Sequence, residues 1–338
     1  MYIVSSYTLA VIFCFITMLC WGSWANSQKI AAKSWRFELF YWDYVLGILL
    51  FSLLFGFTLG SSGEVGMKFT ESIAQASTSS ILNPILGGII FNLSNILLVA
   101  AISVAGMAIA FPVGVGIAMV LGVLINYIAT PKGDPILLFL GVAIVVVAIL
   151  LDATAYKKHA KSEKKASTKG ILLSVSAGFL MAWFFRFVAS AIATDPANVG
   201  PGLSEAGKLT PYAAFFFFVI GIVISNFIFN TYLMKKPIEG SPVNFSQYFG
   251  GNFRSHLSGI IGGMIWALGT ALSLLAANKA GYAISFGLGQ GATMIGAFWG
   301  VFIWKEFKGA NKSVNTLLTL MFVLFTAGLA MIVIAGNN

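Results

Sequence analysis

Long apolar stretches alternate with short polar breaks along this chain, and the stretches are too long and too uniformly apolar for the interior of a soluble domain. A helix rising about 1.5 Å per residue needs about 20 mostly apolar residues to cross the hydrocarbon core of a bilayer. Ten segments meet that requirement, at 6–28, 36–60, 80–104, 108–130, 135–156, 169–194, 211–234, 256–279, 282–305 and 314–335. Backbone polar groups have no water to bind in lipid, so each segment is expected to be helical. The fold class expected is an all-α integral membrane protein with ten transmembrane helices. The first stretch could pass for a secretory signal. No Lys or Arg precedes it, however, and it runs into WGSWANSQK without a small-residue cleavage site, so it is kept as a span.

Composition agrees. Only 9% of the residues are charged and the mean hydropathy is +0.91, against roughly a quarter charged in soluble chains. The net charge of +9 raises nucleic acid as a partner, but the basic residues gather in short loops between spans, where they orient a membrane protein. Nucleic acid is therefore excluded, and membrane lipid is the expected surroundings. With the N-terminus placed outside, the inner loops hold fifteen of the 20 Lys and Arg residues and the outer loops hold four, namely Lys68, Lys132, Lys208 and Lys279. Both termini are thus expected outside, in the cell's inner (plasma) membrane. The densest basic run, KKHAKSEKKASTK at 157–169, reads as a cytoplasmic connector. It divides the chain into a five-helix half at 1–157, a linker at 158–168 and a second half at 169–338. Cys14 and Cys20 lie six positions apart on one helix, off a common face, so they form neither a disulfide nor a metal site. No cofactor is expected.

One phrase occurs twice. GMAIAFPVGVG at 106–116 and GYAISFGLGQG at 281–291 share six of eleven positions. Extended without gaps over 87–119 and 262–294, the match covers 14 of 33 positions, including the glycine pairs 87/262, 88/263, 106/281, 114/289 and 116/291. The copies fall on spans three and four and on spans eight and nine. An offset of five spans turns the second copy upside down in the bilayer, the pattern of an inverted-topology repeat around a central cavity, common among secondary transporters. Gly and Ala are frequent in all membrane helices, and shared composition is the plainer explanation against which the ungapped glycines weigh.

Polar groups inside apolar spans are costly and point to function or to structural pairing. Span one carries Thr17, Trp21, Trp24 and Gln28 on one face, and span six carries Trp183, Arg186 and Ser190 on another. Tryptophans near helix ends also serve as interface anchors, but here they share a face with amide and guanidinium groups, which suits flat or ring-shaped polar solutes. Asn92 and Asn95 sit centrally in the repeated core and are read as cavity residues, whereas Asn226 and Asn230 fit interhelical bonding. Trp266 and Gln290 belong to the second copy of the repeat, and Gln290 replaces Val115 between two glycines. The candidate solute-binding set is Trp21, Trp24, Gln28, Asn92, Asn95, Trp183, Arg186, Trp266 and Gln290. Asp43, about 10 Å into span two, and Glu38, a turn nearer the cytoplasm, are the candidate proton carriers. The alternative roles are a structural partner of Arg186 for Asp43 and an interface position. Spans five and ten, PILLFLGVAIVVVAILL and LLTLMFVLFTAGLAMIVI, hold no strongly polar residue mid-membrane and are expected to face lipid or a partner. Gly287, Gly289 and Ala292 match G-x-G-x-x-A, but no strand precedes them, so no dinucleotide site is expected.

Ten spans in two inverted fives resemble the drug/metabolite transporter superfamily. WGSWANSQK, FELFYWDY, FNLSN and GMAIAFPVGVG resemble the ureide permease and glucose/ribose porter branch, which is also similar to the bacterial rhamnose–proton symporters. The resemblance spans nearly the whole chain. It implies a basket of helices around a central cavity and uptake of ureides, nucleobases or sugars, often with protons. Plant ureide permeases have a longer central cytosolic loop. The short loop here lacks a phosphate-binding motif, which argues against nucleotide regulation.

The expected function is secondary active import of a small polar solute, coupled to a proton or to sodium. The alternative is an exporter of metabolites or drugs, although an exporter of lipophilic cations would call for acids and few amides. The absence of paired catalytic groups argues against an enzyme. The charge count predicts the topology. In a background lacking Cys14 and Cys20, Asn198→Cys should react with an impermeant thiol reagent on intact cells and Ser162→Cys should not; the opposite pattern would invert the protein.

Overall fold

The computed structural model describes residues 1–31, 35–105, 107–159, 168–195, 198–238 and 240–337. Residues 160–167 of the basic linker, and Gly106 at the head of the repeated phrase, lie outside the described residues. Ten helices are long and apolar enough to cross a membrane. They are span 1 (Tyr7–Ile30), span 2 (Phe37–Phe57), span 3 (Thr78–Ile102), span 4 (Pro112–Ala129), span 5 (Pro135–His159), span 6 (Thr168–Ala191), span 7 (Pro211–Lys235), span 8 (Phe253–Ala280), span 9 (Tyr282–Ile303) and span 10 (Lys312–Ala335). Among the described residues there is no strand, only an isolated bridge between Ile192 and Leu209. The protein is a multi-pass helical membrane protein.

Short polar signals start the helices. Ser6, Thr210, Asn252 and Asn311 each accept a hydrogen bond from the backbone N–H three residues on, at the heads of spans 1, 7, 8 and 10, satisfying donors that helix geometry leaves unpaired. Two spans are interrupted. Span 1 breaks at Trp24–Ala25 before resuming as Asn26–Ile30. Span 9 runs as Tyr282–Gly289, then Ala292–Phe298, then a π-helical turn at Trp299–Ile303. π-turns and breaks free backbone groups and cluster at functional places.

Span 3 packs on spans 6 and 7, and span 8 on spans 1 and 2; span 4 packs on span 6, and span 9 on span 1. Spans 2 and 7, 4 and 9, and 5 and 10 pack against each other. Exchanging the numbers of the two halves maps these pairings onto themselves, a packing compatible with an inverted repeat.

The repeated glycines lie at the closest of these contacts. A Cβ on Gly88 would stand 2.0 Å from the carbonyl oxygen of Phe218, and one on Gly221 2.0 Å from that of Ile85, so spans 3 and 7 meet backbone to backbone. A Cβ on Gly263 would stand 2.0 Å from the carbonyl oxygen of Tyr44, and one on Gly47 2.1 Å from that of Ile260, so spans 2 and 8 do the same. Gly88 and Gly263 are equivalent positions of the repeat. Between lipid-solvated helices such close approach is the main source of attraction, because apolar side chains gain little over lipid tails. Not every repeated glycine serves this purpose, since nothing lies within 4 Å of a Cβ on Gly116. Gly88→Ala and Gly263→Ala should each destabilise the purified protein by about 1–3 kcal/mol, visible as a lower melting temperature, whereas Gly116→Ala should melt with the parent.

Candidate functional site

The two interrupted spans, packed side by side, both border a cavity of ≈ 480 Å³, within the size range of small-molecule sites. Its walls come from spans 1, 3, 4, 5, 6, 8 and 9. It reaches the surface at the end that carries the basic linker, beside Lys29, Tyr156, Trp304 and Glu306. Aromatic rings seal the opposite end. Phe286 packs 5.4 Å from Phe185 and 6.3 Å from Phe184, and Phe185 lies 6.1 Å from Tyr282. Phe286 fits because Gly122 on span 4 faces it; a Cβ there would stand 2.2 Å from the ring.

Five sequence-predicted binding residues, Trp21, Trp24, Asn95, Trp266 and Gln290, line this cavity. Trp21 is held by its indole N–H, which donates to Thr270 Oγ1 at 3.0 Å, and its ring packs against Gly269 and Gly289. Trp24 lies 4.7 Å from the ring of Tyr44, and Trp266 stacks on Phe91 at 4.6 Å. Rings wedged in this way present fixed flat faces. Gln290 ends the first piece of span 9, and its side-chain amide has no hydrogen-bond partner among the described residues. Pro112 on span 4 also lines the wall.

Four predicted residues lie elsewhere. Asn92 is buried beside the cavity in a network. It accepts from Tyr41 Oη at 2.8 Å and donates to Ser225 Oγ at 2.9 Å, and Asn95 in turn donates to Tyr41 Oη at 3.0 Å. These bonds tie spans 2, 3 and 7 together. Gln28, on Asn26–Ile30, is not on the cavity wall. Trp183 is 37% exposed on the outer face, near Phe179 and Phe187. Arg186 lies toward Tyr282, on the sealed side.

The candidate proton carriers also stand apart from the cavity. Asp43 is buried under the loop that precedes span 8. Its Oδ1 accepts from Tyr248 Oη at 2.7 Å and lies 2.9 Å from His256 Nδ1, and Trp35 packs edge-on against the histidine ring at 4.8 Å. Burial and the adjoining Asp43 carboxylate push the Tyr248 phenol above its usual range, so it stays a donor. Nothing local in the sequence signals that His256 has a partner 213 positions away. Glu38 is ion-paired with Arg36 at 2.6 Å.

Span 5 is not the featureless helix its apolar run suggested. Ile149, Asp152, Ala153 and Tyr156 all line the cavity. The acid falls just past the quoted apolar run, where it looks like a membrane-edge residue. Around the mouth, span 1 and span 9 are bonded directly. Trp299 Nε1 donates to Ser23 Oγ at 2.8 Å, Trp304 Nε1 to Asn26 Oδ1 at 2.6 Å, and Lys29 Nζ to Glu306 Oε1 at 2.8 Å.

A helical bundle that crosses the membrane ten times and encloses a cavity open at one end has the architecture of a permease-type transporter. The chain matches the family described as Ureide permease over residues 40–171 and 156–335, and it belongs to that family. It is 21% identical to Ureide permease 1 of Arabidopsis thaliana over the whole length of both proteins, and 24% identical to Ureide permease 3 of the same plant over 84% of this chain and 89% of that protein. It is also 21% identical to the "Putative sugar uptake protein" of Enterococcus faecalis (strain ATCC 700802 / V583), over 94% and 96% of the two chains. One solved crystal structure, 14% identical, superposes with a TM-score of 0.62 over 97% of this chain and 96% of that one, and shares the fold. The protein is a transporter of small solutes, not an enzyme.

The placement of the two amides separates binding from structure. Gln290→Ala should weaken solute binding by about 1–3 kcal/mol, or roughly 5- to 150-fold, with little change in melting temperature. Asn92→Ala strands Tyr41 and Ser225 and should lower the melting temperature; calorimetry and a thermal melt on both variants check this.

Proposed function

We propose that this protein is a secondary active importer that moves a small polar solute, namely a sugar, ureide or nucleobase, by alternating access and in company with a proton. The observation that carries the reading is the cavity. It is sealed at one end by Phe184, Phe185, Phe286 and Tyr282, open at the other, and lined by the rings of Trp21, Trp24 and Trp266 beside the amides of Asn95 and Gln290. Indole faces stack on ring-shaped solutes, and amides offer both donors and acceptors to hydroxyl, carbonyl and N–H groups. The names of the Arabidopsis and Enterococcus relatives support ureides and sugars as the classes to test. With both termini outside the cell's inner membrane, as the basic loops indicate, the open end faces the cytoplasm.

Asp43 is the proposed coupling acid, with Glu38 as the next candidate. A carboxylate inside a span is expected to be functional, and here it touches His256, the residue type best suited to proton exchange near neutral pH. The interruptions in spans 1 and 9 offer hinges on which the two halves could rock to expose the cavity to the other side.

The test is uptake into proteoliposomes, with a pH gradient imposed, of radiolabelled glucose, allantoin and uracil in turn. The parent should concentrate at least one of them. Asp43→Asn should lose accumulation while retaining exchange at equal concentrations. An Asp43→Asn variant that still concentrates solute under a proton gradient would make Asp43 structural and pass the role to Glu38. A parent that ignores protons but responds to sodium would move the ion site to the cavity amides and to the backbone carbonyl that Pro112, lacking an N–H inside its helix, leaves without a donor.

A further inference from the structure

Asp152 stands on the cavity wall, and none of the roles above employs it. Its Oδ1 is sealed from solvent and has no hydrogen-bond partner among the described residues. The wall's other carboxylate, Glu306, is fully engaged: it pairs with Lys29 at 2.8 Å and accepts from Tyr156 Oη at 3.0 Å.

Among the described residues no charged group of a neighbouring element is bonded to Asp152, Lys305 and Lys308 on either side of Glu306 included. On span 5 itself, Tyr156 follows Asp152 by one turn and is bonded to Glu306. Beyond it come Lys157, then Lys158, whose ammonium reaches Ser313 Oγ at 3.1 Å, and His159, whose Nε2 lies 2.9 Å from the Glu306 carbonyl oxygen. Span 1 supplies Lys29, which Glu306 holds and which lies over the Trp304 ring at 4.9 Å. Span 4 contains no ionisable residue except Tyr127, near its far end; span 10 has only Lys312, at its first position; and span 6 has Lys169 and Arg186 toward its two ends. No described cation is bonded to Asp152, and the cavity residues beside it on its own helix, Ile149 and Ala153, are apolar.

An ionised carboxylate with an unpartnered oxygen in an apolar wall costs far more than a neutral acid, and a proton relieves that cost with no rearrangement of the helices. We infer that Asp152 is the proton-binding group of the solute cavity and carries a proton in the conformation described here. It shares one compartment with Trp21, Asn95, Trp266 and Gln290, whereas Asp43 lies outside that compartment behind His256 and Tyr248. A proton and a solute in the same cavity change each other's affinity, and the effect is reciprocal. That consequence for transport rests on the importer reading above; the protonation of Asp152 does not.

Dicyclohexylcarbodiimide, an apolar reagent that attacks protonated carboxyls, tests this on the purified full-length protein without solute or gradient. Labelling is mapped by mass spectrometry from acid to alkaline pH. The Asp152 peptide should be labelled on the acid side, falling roughly tenfold per pH unit once the carboxyl ionises. Asp152→Asn should abolish that label and leave the others. Ala153→Cys, treated with a small maleimide, should react and so show that reagents reach this wall. An unlabelled Asp152 beside a reactive Ala153→Cys would overturn the inference, as would a label independent of pH. An unreactive Ala153→Cys would overturn it too, because the inference needs Asp152 on an open wall. Failure of proton-driven uptake alone would leave it standing.

Discussion

Backbone contact between helices is the constraint on which this structure depends. In lipid, burying one leucine against another gains little, so a bundle holds together where helices come close enough for main chains to touch. Gly47 with Gly263, and Gly88 with Gly221, provide two such crossings, where any Cβ would fall about 2 Å from a carbonyl oxygen. They join span 2 to span 8 and span 3 to span 7, so each crossing stitches one half of the chain to the other. With the inner helices pinned there, the interrupted spans 1 and 9 are left to frame the cavity.

Polar groups inside the bundle divide by whether they find partners. Tyr41, Asn92, Asn95 and Ser225 close a network among spans 2, 3 and 7, and Thr17 donates to the Gly269 carbonyl at 2.8 Å between spans 1 and 8. A buried amide satisfied in this way fixes helix register. Among the described residues the Gln290 amide and the Asp152 Oδ1 have no such partners, and both residues line the cavity, the condition under which a polar side chain is free to meet a ligand or a proton. Residue type alone does not decide which polar groups reach the cavity, since Asn92 and Asn95 are one turn apart on one helix, both hydrogen-bonded, and only the second lines it.

Much of the fold was legible in the sequence because it is set by local chemistry. The length of each apolar run needs no knowledge of neighbours, and the ten spans fall within a few residues of the segments read from hydropathy. The ungapped glycine repeat was legible for a related reason: a backbone crossing demands the smallest residue at a fixed position, so it leaves a mark. The tryptophan stripe of span 1 was legible through helical spacing. Trp183 and Arg186 had equally good spacing, yet one faces outward and the other the sealed end, because periodicity defines a face and not what that face meets.

The sequence by itself thus determined the solvent, the helix count and the places where helices can touch, all of which follow from side-chain size and transfer energy at single positions. Only the tertiary structure decided which polar groups are paired. It set His256 and Tyr248 on Asp43 across more than 200 residues of chain, gave Glu306 to Lys29, and left Asp152 on a cavity wall at the end of an otherwise apolar span. The physical reason is that a hydrogen bond or ion pair acts over about 3 Å, and in a ten-helix bundle the groups that come that close are chosen by helix crossings far away in the chain.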